Sequence, residues 1–245
     1  MMRTSNPILS ENTFNEVRST TNPMTLQGTV NKTMFLLALV LIPAVYTWQL
    51  ALANPAGATG WMIGGAITGF VIAIVTAFKK EWSPITAPLY AIAEGLFVGA
   101  LSARYETMFN GIVLQAVLLT IGTLLALLAA YSMRIIKATE NFKLGIFAAT
   151  AGIGLVYLLS FGLSLFGIQI PYIHESGLVG IGFSVVVVII AALNLVLDFD
   201  FIEQGCIKGA PKYMEWYASF GLLVTLIWLY LEILRLLAKL ASRRD

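Results

Sequence analysis

The sequence predicts an all-α integral membrane protein, a seven-transmembrane-helix bundle in which the seventh helix is central. Of its 245 residues, 58% are hydrophobic and only 11% are charged, whereas soluble domains are about 25% charged. Seven apolar runs approach the ~20 residues that cross a bilayer as a helix. Because backbone groups in hydrocarbon must be hydrogen-bonded within the protein, runs of this length indicate helices.

The seven runs follow a polar beginning and are joined by connections rich in turn residues. Residues 1–32 are rich in Ser, Thr and Asn, which predicts a flexible polar N-terminal segment, and residues 33–245 form the predicted seven-helix transmembrane domain. The connection Asn54-Pro55-Ala56-Gly57 separates the first two runs. The predicted spans are residues 34–53, 61–78, 85–103, 112–133, 144–166, 178–197 and 217–238.

The distribution of Lys and Arg predicts that the N-terminus is cytoplasmic, because cytoplasmic loops are enriched in both residues. With that orientation, the inner segments carry ten of them and the outer loops only Arg104. The inner ten are Arg3, Arg18, Lys32, Lys79, Lys80, Arg134, Lys137, Lys143, Lys208 and Lys212. Seven spans place the C-terminal tail outside although it also carries basic residues, so the side of the tail stays open.

Glu94 lies within the third run, where ionisable groups are costly and indicate function by default. Gly95 and Gly99 are four residues apart, the small-residue spacing that allows helices to approach closely. A carboxyl beside such a face points into the bundle. It is either a protonated group hydrogen-bonded between helices or a pore-lining proton or cation site.

An acidic cluster ends the sixth run. Asn194 and Asp198 are four residues apart and share a helix face, which makes Asn194 a second pore-lining candidate. Asp200 is rotated away by about 200°. The alternative for Asp198, Asp200 and Glu203 is an interfacial cap in headgroup water, which suits Asp200 and Glu203 best.

The seventh run carries Glu232 and Arg235, which predicts a helix in the centre of the bundle rather than one facing lipid. Arg235 can pair locally with Glu232, three residues before it. If Glu232 instead approaches Asp198, the two carboxyls share a proton and titrate as a pair. Such a pair is also a candidate calcium site, since calcium prefers carboxylate oxygens.

Enzymatic chemistry finds no support in the sequence. His174 and Cys206 are the only residues of their types, and no nucleophile elbow, metalloprotease helix, phosphate-binding loop or paired-cysteine motif is present. No basic stripe indicates nucleic-acid binding. We therefore expect no enzyme, no cofactor and no nucleic-acid partner.

Several segments, in this order, resemble the transmembrane Bax inhibitor motif family of seven-helix membrane proteins, and most closely its prokaryotic branch. They are residues 24–33 (MTLQGTVNKT), 93–95 (AEG), 197–202 (LDFDFI), 212–216 (KYMEW) and 229–234 (LYLEIL). The resemblance implies six helices around a central seventh, with an aspartate pair between the last two that senses pH and gates a calcium leak. Asp198 matches the first aspartate. Glu232 stands where the second is expected, and residues 206–211 lengthen the linker.

The leading functional expectation is a pH-modulated leak for calcium or other cations in a bacterial inner membrane. Asp198, Glu232, Arg235 and Asp200 would sense pH and gate ions, and Glu94 and Asn194 would line the path. The expected partners are the lipid bilayer and calcium or protons. The alternative is a non-conducting stress or regulatory protein that binds other membrane proteins, such as a membrane protease. A proton-coupled solute transporter would need a substrate site that the sequence does not reveal.

Overall fold

The structure, a computed structural model, describes residues 22–164, 166–167 and 177–243. Residues 1–21 of the predicted flexible segment therefore lie outside the described residues, as does His174. Within the described part of the chain, seven helices are long and apolar enough to cross a membrane. The prediction of an all-α seven-helix membrane protein is confirmed.

Most of the helices follow one another with short connections. A 3-10 turn, Lys80–Trp82, precedes the third helix. The helices are α1 (Leu26–Ala53), α2 (Pro55–Phe78), α3 (Ser83–Met108), α4 (Ile112–Ser132), α5 (Glu140–Ser164), α6 (Leu178–Ile207) and α7 (Met214–Ala241).

Several helices extend beyond their predicted spans, and two of these extensions affect the candidate site. The first helix begins at Leu26, because the Thr25 hydroxyl accepts a hydrogen bond from the Gly28 N–H and caps the helix. The boundary predicted at residue 32 thus lies inside α1. The sixth helix continues through the acidic cluster to Ile207, so that Asp198 is a helical residue with a full turn on either side.

The seventh helix is central, as predicted. It packs against α1, α3, α4 and α6, and its fully buried side chains include Tyr217, Phe220, Leu223 and Leu229. By contrast, α2 packs on α1 and α3, and α5 packs mainly on α6. The outer helices therefore expose large apolar side chains where a bilayer would surround them.

Gly95 and Gly99 bring α3 and α1 into close contact, as their spacing predicted. A Cβ at Gly95 would lie 2.3 Å from the Val40 carbonyl oxygen, and one at Gly99 would lie 2.1 Å from that of Ala44. Neither position has room for a side chain. The two backbones touch along this line and fix how far α3 can turn about its axis.

Candidate functional site

The register of α6 against α7 decides whether Asp198 meets Glu232. The helices are antiparallel: Lys239 Nζ contacts the Gly180 carbonyl at 3.0 Å, and the Phe201 and Tyr217 rings lie 6.4 Å apart. These contacts place Glu232 level with a part of α6 about ten residues from Asp198, or ~15 Å along the axis at 1.5 Å per residue. The predicted carboxylate pair is therefore not formed in this geometry.

Glu232 is held by two other groups. Its side chain is 2% exposed, and Arg235 Nη1 lies 2.9 Å and 3.1 Å from its two oxygens. The Tyr157 hydroxyl donates to Glu232 Oε1 at 3.0 Å and accepts from Arg235 Nη1 at 2.9 Å. The local ion pair that the spacing allowed is thus present, and α5 supplies a third member that the sequence did not suggest.

Asp198 lies in the protein interior. It is 0% exposed, which excludes the alternative of a water-exposed cap in this conformation. One turn away, Asn194 Nδ2 donates to Thr150 Oγ1 at 2.9 Å and to the Ile190 carbonyl at 2.8 Å. Asn194 therefore joins α6 to α5, and Asp198 lies on the same side of α6.

Asp200 and Glu203 are also tied to neighbouring helices. Lys143, which is 2% exposed, places Nζ 2.8 Å from Asp200 Oδ2. Arg134 Nη2 lies 2.6 Å from Glu203 Oε1, and the Tyr131 hydroxyl donates to Glu203. The hydrogen bond to Glu203 raises the pKa of Arg134. Asp200 is therefore paired with a buried ammonium and is not solvated by water alone.

Three residues of α5 make these contacts from one helix face. The spacing between Lys143, Thr150 and Tyr157 is seven residues, which is close to two helical turns. Lys143 contacts Asp200, Thr150 contacts Asn194 and Tyr157 contacts Glu232. We call this line of contacts, with Arg235 at its end, the α5 seam. It runs from near the start of α5 across most of the apolar thickness. The seven-residue spacing within a long apolar run was the available sequence signal.

Glu94 does not belong to the α5 seam. The pairs Tyr90–Phe220 and Ser102–Tyr230 show that α3 runs parallel to α7, which places Glu94 near the level of Asp198. Its carboxyl, however, faces α2, since a Cβ at Gly69 would lie 2.9 Å from Glu94 Oε1. The structure therefore separates Glu94 from the other predicted site residues.

No calcium site is formed by the predicted pair. Calcium coordinates oxygens at about 2.3–2.6 Å, so carboxyls ~15 Å apart cannot share one ion. Within the described ranges, no group of three or more acidic, His or Cys side chains could hold a metal.

Glu215, at the start of α7, is a buried acid that the sequence pattern did not indicate. It is 0% exposed and accepts from the Thr25 N–H at 2.9 Å, from the Thr25 hydroxyl at 2.8 Å and from Lys212 Nζ at 2.7 Å. Lys32 also pairs with it. Glu215 thus fastens the first turn of α1 to the start of α7. Only the tertiary fold brings these distant residues together.

Comparison with known proteins agrees with this architecture. No curated protein and no solved structure matches the chain significantly. The sequence profile of the family described as Bax inhibitor 1 like matches residues 6–242. This match covers all seven helices, the α5 seam and Glu215. Membership of this family is consistent with a role in membrane transport or regulation. The chain belongs to the Bax inhibitor 1 like family of multi-pass membrane proteins.

Proposed function

We propose that this protein is a cation leak, with calcium among its substrates, whose conductance is modulated by protons. The observation that carries the proposal is the α5 seam, a line of polar and charged side chains through an otherwise apolar bundle. Polar groups at membrane depth are costly and commonly mark ion or proton pathways.

In the proposal, two separate acids, Asp198 and Glu232, replace the single carboxyl pair that was expected. Asp198 lies beside the Asn194 contact, and Glu232 lies farther along with Arg235 and Tyr157. When a buried carboxyl is protonated it needs no counter-ion, whereas an ionised carboxyl attracts water and cations. In the proposed mechanism, protonation of Asp198 keeps the path closed, and its ionisation favours an open, hydrated path.

The proposed moving part is α5. It packs mainly on α6 and exposes Leu155, Leu158 and Phe161 where lipid would lie. Its inner face is polar, so the α5 seam could take up water if α5 moved outward by a small distance. The polar contacts would then be exchanged for hydration at low cost.

The proposed function predicts a calcium flux that rises with pH. The purified protein would be reconstituted in liposomes containing a calcium-sensitive dye, and flux would be measured between pH 6 and pH 8. Asp198→Asn mimics the protonated acid and should reduce flux at high pH to the low-pH level. Glu81→Gln, at an exposed carboxylate outside the seam, is the matched control and should behave as wild type. A calcium flux that changes neither with pH nor in the Asp198→Ala variant would overturn the proposal.

A second candidate function is a non-conducting regulatory protein that binds membrane partners, such as a membrane protease. The observation that favours it is that Lys143, Asp200, Glu232 and Arg235 are all in ion pairs, as they would be if the seam only joined helices. A partner that co-purifies in stoichiometric amount with wild-type protein, together with absence of flux, would support this function over the leak.

The proposed location is a bacterial inner membrane, with the N-terminus in the cytoplasm. Five basic residues lie at the end of the bundle where α1 and α7 begin: Lys79, Lys80, Arg134, Lys208 and Lys212. An excess of Lys and Arg at one end supports that end as cytoplasmic.

A further inference from the structure

Lys239, near the end of α7, turns into the bundle. Lysines at the ends of membrane helices usually extend their ammonium groups toward water and headgroups. Lys239 is instead 6% exposed, and its Nζ donates to the Gly180 carbonyl at 3.0 Å and to Ser184 Oγ at 2.9 Å. The ammonium thus lies between α6 and α7 at the end opposite Glu215.

The two oxygens that hold this ammonium are of the type that binds metal cations. A backbone carbonyl and a hydroxyl are neutral oxygen donors, like those that replace the hydration shell of potassium in channels or coordinate calcium in proteins. The ammonium group of Lys239 therefore occupies a position where the Gly180 carbonyl and the Ser184 hydroxyl would otherwise suit a free cation.

Lys239 also continues the α5 seam toward this end of the bundle. Glu232, Arg235 and Lys239 are three and four residues apart, which places them along one face of α7. A cation that enters from this end would meet Lys239 first, then Arg235, and only then the carboxylate of Glu232.

From the order in which an entering cation meets these side chains, we infer that Lys239 determines ion selectivity. Its ammonium group occupies the entry to the α5 seam and repels divalent ions more strongly than monovalent ions. The inference rests on the proposed cation leak. Its physical basis is that Coulomb repulsion by a fixed charge is twice as large for a divalent ion as for a monovalent one. Lys239 therefore limits calcium flux more strongly than potassium flux.

The test uses Lys239→Met, which keeps an unbranched side chain one atom shorter and removes its charge. In liposomes loaded with calcium-sensitive or potassium-sensitive dye, calcium flux should rise roughly tenfold or more and potassium flux less, because the lost repulsion scales with ionic charge. Arg243→Met removes an exposed charge at the same end and is the matched control, expected to leave both fluxes unchanged. Lys239→Arg should stay near wild type.

The result that overturns the inference is an unchanged ratio of calcium to potassium flux in Lys239→Met protein that purifies as a monodisperse species. An equal effect of Arg243→Met would also overturn it, because the effect would then come from surface charge. If Lys239→Met does not purify, Ser184→Ala removes one acceptor of the ammonium and should change the ratio in the same direction by a smaller factor.

A binding measurement separates failure of this inference from failure of the leak itself. In detergent without liposomes, thermal unfolding of Lys239→Met is measured in potassium chloride and calcium chloride against N-methylglucamine chloride at equal ionic strength. A cation-dependent rise in Tm in the variant but not in wild type supports a vacated cation site even if no protein conducts. Absence of flux in all proteins together with no such rise overturns both proposals.

Discussion

At the scale of single residues, the contact between Glu232, Arg235 and Tyr157 explains how charge is kept in an apolar bundle. Each side chain is hydrogen-bonded to the other two, and three of the four donor–acceptor distances are 2.9–3.0 Å. The sequence predicted the Glu232–Arg235 pair, because residues three apart on a helix are neighbours. Tyr157 could not be predicted, since its partner is 75 residues away and only the packing of α5 brings it there.

This contact predicts that the two charged members cannot be removed singly. Arg235→Met leaves the buried Glu232 carboxylate without its guanidinium and should destabilise the protein. Because the Arg235 side chain is 38% exposed, the cost should be smaller than the about 3–5 kcal/mol of a fully buried pair. The double variant Glu232→Gln with Arg235→Met should be more stable than Arg235→Met alone. Thermal unfolding of the purified proteins in detergent measures this, and Arg243→Met is the control. Equal stability of the single and double variants would contradict the assignment.

At the scale of elements, the sequence predicted each spanning helix from its length and hydropathy but predicted few of the contacts between helices. The face of α5 that carries Lys143, Thr150 and Tyr157 was not predicted, although the spacing of seven between these residues is present in the sequence. Which helix it faces was not visible, because that depends on how α5 packs against α6. Asp198 lies on the same side of α6 as Asn194, as the spacing of four indicated, because α6 continues past both residues.

The α5 seam predicts that joining α5 to α6 covalently will reduce conduction. Thr150→Cys with Asn194→Cys, in a Cys206→Ser background, replaces a direct side-chain contact and should form a disulfide under mild oxidation. If α5 moves outward when the path opens, calcium flux in liposomes should fall on oxidation and return on reduction. Each single-cysteine variant is a control that should not respond. A crosslinked protein with full flux would exclude α5 as the moving part.

At the scale of the whole molecule, composition and hydropathy were sufficient to predict seven helices, and the charged residues Glu232 and Arg235 within the last run indicated that this helix is central. They were not sufficient to predict the register of α6 against α7, and the error about Asp198 and Glu232 follows from that. The register is fixed by contacts at both ends, such as Lys239 with Ser184 and Phe201 with Tyr217. A one-dimensional pattern contains no information on such pairs.

The proposed orientation predicts which cysteine positions an impermeant thiol reagent can reach. Cys206, the one cysteine of the sequence, is partly exposed at the end proposed to be cytoplasmic, so it should not be labelled in intact cells and should be labelled in inverted membranes. Ser242→Cys in a Cys206→Ser background lies at the other end and should show the opposite pattern. Labelling of Cys206 in intact cells would reverse the proposed topology.

The bond between Thr25 and Glu215 has a consequence for the order in which the chain is assembled during synthesis. The two residues are 190 positions apart, and the Met24 N–H donates to the Ala210 carbonyl at 2.6 Å. The first helix of the bundle to leave the ribosome therefore lacks its final contacts until the last helix has been made and inserted. These contacts between the two ends of the chain are thus the last to form, and we expect a nascent chain stalled before residue 210 to leave the beginning of α1 without them.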